Sequence, residues 1–116
     1  MNKAGFSLVV LAALTGCYTV PEKPNFTLEL NRDYQEVADC AWLEFRKMSD
    51  WSRDNLDSMK RVEFSYGNSA STAGRIDIIG TSNGRTLVSS HVQVALGKWE
   101  RLHKPIFEAC GRAEPS

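Results

Sequence analysis

The stretch from Arg75 to Ser90, RIDIIGTSNGRTLVSS, decides the fold. Ile76 and Ile78 alternate with Arg75 and Asp77, the period-two pattern of a strand with one buried and one wet face. Ser82-Asn83-Gly84 then reverses the chain, and the length of that loop sets the register of the strand that follows. A two-residue Asn-Gly turn would place Ile78 opposite Ser89 and waste the apolar face. A three-residue loop with Gly84 in the left-handed conformation, closing on a G1 bulge, instead places Ile78 opposite Val88 and Ile79 opposite Leu87. This second register is the expected one because it keeps apolar side chains together. Upstream, Val62, Phe64 and Tyr66 alternate with Arg61, Glu63 and Ser65, so another strand precedes, joined through a small-residue hairpin loop from Gly67 to Thr72. The expectation is an antiparallel meander of three strands burying Val62, Phe64, Tyr66, Ile76, Ile78 and Val88.

Helical signals flank this meander. Phe26, Leu28 and Leu30 alternate with Thr27 and Glu29 as a short leading strand. Asp33 and Glu36 make a capping-box pattern, and Tyr34, Val37, Ala41, Phe45 and Met48 recur at helical spacing, which predicts a helix from about residue 33 to residue 50. From Ser49 to Asn55 turn formers dominate, and a polar loop is expected. Downstream, Val92, Leu96, Trp99, Leu102, Ile106 and Cys110 step by three or four, predicting a helix that begins between Ser90 and Lys98. Gly97 weakens it by about 1 kcal/mol and Pro105 should kink or divide it between Arg101 and Lys104. The elements assemble into one α+β domain over residues 26–112, with 113–116 as a tail. Its expected form is a two-layer sandwich, a three- to four-stranded antiparallel sheet with two helices on one face, in the order β-α-β-β-β-α.

The N-terminus has Lys3, then an apolar run from Ala4 to Leu14, then small residues, the order of regions in a secretory signal. Eleven residues are too few to span a bilayer, which takes about 20. Leu14-Thr15-Gly16-Cys17 resembles the lipobox of bacterial lipoproteins: an aliphatic residue, two small ones and cysteine. The resemblance covers the signal alone. It implies removal of residues 1–16, diacylation of the Cys17 thiol and acylation of the new amino group. Acylation at both atoms makes membrane attachment stable where a single chain would not. Among proteins of this class an aspartate after the cysteine favours retention at the inner membrane; Tyr18 stands there, so the resemblance implies an outer-membrane lipoprotein facing the periplasm. Residues 17–25 then form the acylated cysteine and a short tether stiffened by Pro21 and Pro24. Its eight residues after Cys17 reach at most about 28 Å, which keeps the domain near the membrane.

With Cys17 assigned to lipid, Cys40 and Cys110 remain, an even number in a disulfide-permitting compartment. A disulfide between them is expected, against the alternatives of a buried thiol pair or a metal site. Zinc is disfavoured because no CxxC spacing or histidine cluster accompanies them.

Fourteen basic and fourteen acidic residues leave a net charge of zero, which excludes the basic footprint of a general nucleic-acid binder. Asp77, Ser89 and His91 would share one sheet face in the preferred register, but strand N–H groups are committed to the ladder and cannot form an oxyanion hole. His91 and His103 lack the flanking ligands of a metal site, and the glycines do not form a phosphate-cradling loop. No catalytic residue, metal or cofactor is expected. Trp99 and Trp42 read as core, and Trp51 as helix-end packing, although Trp51 with Arg53 is also the best candidate for partner recognition. The functional expectation is a non-enzymatic lipoprotein, held to the membrane through Cys17, that binds an unidentified envelope protein. The alternative is an inhibitor or immunity-type lipoprotein blocking a periplasmic enzyme such as a wall hydrolase, through a loop at Asn68 to Thr72 or Asp50 to Asn55.

Overall fold

Hydrogen bonding across the meander follows the register that the Gly84 loop dictates. In the computed structural model, which describes residues 20, 22–68, 71–92 and 98–112, Ile78 lies opposite Val88 and Ile79 opposite Leu87. Gly84 adopts φ +77°, and the loop is closed by Thr81 N–H donating to Arg85 O at 2.9 Å. The strands are β1 (Phe26–Leu30), β2 (Trp51–Leu56), β3 (Arg61–Asn68), β4 (Ser71–Gly80) and β5 (Thr86–Val92), and the helices are α1 (Tyr34–Phe45) and α2 (Lys98–Arg112). All strand pairs are antiparallel, in the spatial order β1-β5-β4-β3-β2. The fold is α+β with both helices against one face of the sheet. The sheet has five strands rather than three or four, because residues 51–56 form a strand where a polar loop was expected.

That added strand is invisible to periodicity for a physical reason. β2 is a sheet edge, and its inward positions, opposite Tyr66, Phe64 and Val62, are Trp51, Arg53 and Asn55. Only the tryptophan is apolar. Main-chain pairing to β3 defines the strand, while the inward-pointing Arg53 blunts the edge against adventitious pairing.

α1 ends at Phe45, earlier than residue 50, because the chain tightens into turns there: Lys47 N–H donates to Glu44 O and Met48 N–H to Phe45 O. Asp50, at φ +69°, then redirects it into β2. Half of the capping box forms. Asp33 Oδ2 accepts from Gln35 and Glu36 N–H at 3.0 and 3.3 Å, but the Glu36 carboxylate turns to Arg32 Nε at 2.9 Å.

The core lies between the sheet and the helices, with Val37, Ala41 and Phe45 of α1 and Phe107 of α2 set on Phe64, Ile76, Ile78 and Val88. Phe45 centres it, with ring centroids 5.1 Å from Phe64 and 5.6 Å from Phe107. Gly80 lets α1 approach: a Cβ there would lie 2.7 Å from the Tyr34 ring. Arg32 joins the layers below, donating to Cys110 O at 2.6 Å near the end of α2, while its own carbonyl accepts from buried Thr86 Oγ1.

The last helix begins at Lys98, the downstream limit of the expected range, and Val92 belongs to β5 rather than to its stripe. It departs from expectation in two further ways. It runs through Pro105 undivided, with the proline on the exposed side, where water can solvate the Arg101 carbonyl. Its buried face is His103, Phe107 and Cys110, leaving Leu102 52% exposed rather than in the core. The leader 1–16, Cys17, the tail 113–116 and the Trp99 side chain lie outside the described residues.

Candidate functional site

Alternation along β3, β4 and β5 sends Arg61, Glu63, Arg75, Asp77, Ser89 and His91 to the sheet face away from the helices. Asp77, on the middle strand, is 4% exposed because the two arginines close over it. Arg61 Nη2 and Arg75 Nε lie 2.9 and 3.0 Å from Asp77 Oδ1, and Arg61 also reaches Glu63 at 3.2 Å. The register thus brings Asp77, Ser89 and His91 together as foreseen. Their geometry is not a catalytic relay: Ser89 Oγ lies 2.9 Å and Asp77 Oδ2 4.0 Å from the same ring nitrogen, His91 Nε2. A relay needs the acid on one nitrogen and the nucleophile on the other. The arrangement is instead a charge-balanced cross-strand lattice.

On the helix side, Trp51 is half-buried and packs as a helix-end residue. Its ring lies 4.8 Å edge-on from Phe45 and 5.2 Å from His103. Arg53 sits 2.7 Å from Asp39 of α1 and 2.8 Å from Asn55 Oδ1. The two are therefore inward-facing residues of an edge strand rather than parts of a polar loop. Trp42 packs on Phe64 at 5.1 Å, as a core-edge residue should.

His103 is 1% exposed beneath Phe45, and burial lowers its pKa from 6.5 to about 4, so the neutral imidazole is the form the core accepts. It lies on the opposite face of the sheet from His91, so the two histidines cannot share a ligand. Among the described residues no group of three or more His, Cys, Asp or Glu side chains could hold a metal ion. Likewise no described helix is long and apolar enough to cross a membrane.

Cys40 of α1 and Cys110 of α2 meet with Sγ atoms 2.07 Å apart and Cα atoms 5.7 Å apart, a disulfide-compatible pair across the helix layer. Above it runs a shallow groove of about 450 Å³ lined by Leu43, Glu44, Pro105, Ile106 and Ala109. Leu102 extends the same face by one turn. Leu102, Pro105, Ile106 and Ala109 stand at i, i+3, i+4 and i+7, a second apolar stripe beside the buried one. That spacing is present in the sequence; which of the two stripes faces the core is not.

Comparison with protein-family models, with curated proteins and with solved structures returned no match.

Proposed function

We propose that this chain is a non-enzymatic lipoprotein of the bacterial envelope, acylated at Cys17, delivered to the outer membrane and facing the periplasm, where its domain binds a protein partner close to the bilayer. The observation that carries the reading is Leu14-Thr15-Gly16-Cys17 at the end of an eleven-residue apolar run. The paired Cys40 and Cys110 support it, since a disulfide is at home in an oxidising compartment. So does the outer sheet face, whose ionisable groups are engaged with one another rather than aimed at a substrate.

The experiment is mass spectrometry of the mature N-terminal peptide, followed by envelope crosslinking and recovery of the acylated chain. An acylated Cys17 and a specific crosslinked protein are expected. An unmodified N-terminus beginning elsewhere overturns the anchor, and no specific partner across several crosslinkers overturns the binding role.

The inhibitor reading keeps one of its two loops. Asp50 to Asn55 is withdrawn because it enters β2; at Asn68 to Thr72 the connection is shorter than the expected loop, since β3 runs to Asn68 and β4 begins at Ser71, past a register shift at Tyr66 and Gly67. Alanines at Asn68 and Thr72 that abolish inhibition of a wall hydrolase would establish it.

A further inference from the structure

We infer that the exposed face of the helix layer, Leu43 of α1 with Leu102, Pro105, Ile106 and Ala109 of α2, lies on the surface of the bilayer to which the chain is anchored. The inference rests on the acylation reading above and adds the domain's orientation to it.

Three observations point to a lipid surface as the occupant. First, the face is apolar yet left open: Leu43 and Leu102 are each 52% exposed, and Pro105 and Ala109 are exposed beside them. A stripe at i, i+3, i+4 and i+7 on the solvent side is how an interfacial helix presents itself.

Second, the tether enters the domain at the end of the sheet where these leucines lie. Asn25 N–H donates to Ser90 O and its side chain accepts from Val92 N–H, so the tether joins where β5 ends. Trp51 stands opposite Tyr66, Tyr66 opposite Gly74 and Gly74 opposite Val92, which places the start of β2 at that same end. Phe45 closes α1 against Trp51, and His103, in the early part of α2, packs on both. Leu43 precedes Phe45 by two residues and Leu102 adjoins His103. With only eight residues after Cys17, a reach of at most about 28 Å, the lipid holds this end of the domain near the headgroups.

Third, the charges around the face suit anionic lipid. On the two helices the acidic Glu36, Asp39 and Glu44 are each held in an ion pair, with Arg32, Arg53 and Lys47, which leaves Arg46, Arg101, Lys104 and Arg112 against Glu108 among the described side chains. A bilayer needs no matching groove and tolerates a shallow, sloping surface. The weak adhesion of so small a patch is sufficient because the anchor makes the contact intramolecular.

The test is hydroxyl-radical footprinting of the acylated full chain in vesicles of phosphatidylethanolamine and phosphatidylglycerol, each residue's rate being normalised to that in the denatured chain. Met59 is the internal reference, 60% exposed at the far end of β2. If the face is open, Leu43 and Leu102 should be about as protected as Met59. The expected result is protection several-fold above Met59 at both leucines, unchanged when the protein is diluted in lipid. Vesicle-bound protein with leucines as reactive as Met59 overturns the inference and leaves the anchor standing. Protection that disappears on dilution overturns it in favour of a second copy of the chain. Protein that lacks acyl groups and does not float with vesicles overturns the anchor reading, and this inference with it.

Discussion

His103 gives stability a pH dependence whose size follows from its burial. The ring lies under Phe45 and Trp51 with 1% of its surface exposed, and burial lowers its pKa from 6.5 to about 4. Between those values the unfolded chain binds a proton there that the folded chain refuses. Stability from this site is therefore fully present above pH 6.5 and is lost as pH falls toward 4. A difference of this size corresponds to about 3 kcal/mol, with a slope never above about 1.4 kcal/mol per pH unit. For a domain whose total stability is on the order of 5–15 kcal/mol, the loss is large. Carboxylates titrate in the lower part of the same window, so the assay must isolate one residue. Urea denaturation of the native chain and of His103→Leu, measured at intervals from pH 7.5 to 4, does so by difference: a constant packing offset cancels, and the proton linkage remains as a slope. The native chain should lose about 3 kcal/mol relative to the variant across the window. NMR titration of the His103 ring should place its midpoint near 4. A difference curve that is flat with pH would refute the burial argument.

Other perturbations test other parts of the structure. Reduction, or Cys40→Ala with Cys110→Ala, opens a link between residues 70 apart and should lower stability by roughly 4 kcal/mol in the chain-entropy treatment, seen as a fall in the denaturation midpoint on adding reductant. Gly84→Ala meets no atom within 4 Å, yet its φ of +77° should make it destabilising by about 1–2 kcal/mol, with Gly84→Asn recovering part of the loss. Asp77→Asn removes the carboxylate that Arg61 and Arg75 share. Both arginines are partly exposed, so the expected loss is only on the order of 1–2 kcal/mol, and a double-mutant cycle with Arg75→Met should show a coupling that weakens with salt.

Legibility in the sequence tracked how local each cause was. The hairpin register was readable because loop length and apolar alternation both constrain it, and a one-residue slip would turn every side chain to the wrong face. The N-terminus of α1 was readable from Asp33 for the same reason, since a cap acts within three residues. β2 was hidden because an edge strand with Arg53 and Asn55 on its inner face is held by main-chain bonds to β3, which no pattern within 51–56 encodes. α2 was half legible. Its breadth of apolar residues announced a helix, but two stripes compete, and Phe107 with His103 won the core while Leu102 was left outside. Register alone predicts the meeting of Asp77, Ser89 and His91, whereas the approach of both neighbours to the same nitrogen is set by side-chain packing across the strands.

By itself, then, the sequence determined the α+β class, the meander and its register, the two helices and the pairing of Cys40 with Cys110 across them. These depend on periodicity, turn chemistry and residue counts, which are properties of neighbours along the chain. Only the tertiary structure decided the sheet's fifth strand, which stripe of α2 is buried, the neutral state of His103 and the open apolar face at the tether end. Each of these depends on what lies across a gap in space, where long-range packing selects among alternatives that local spacing leaves equal.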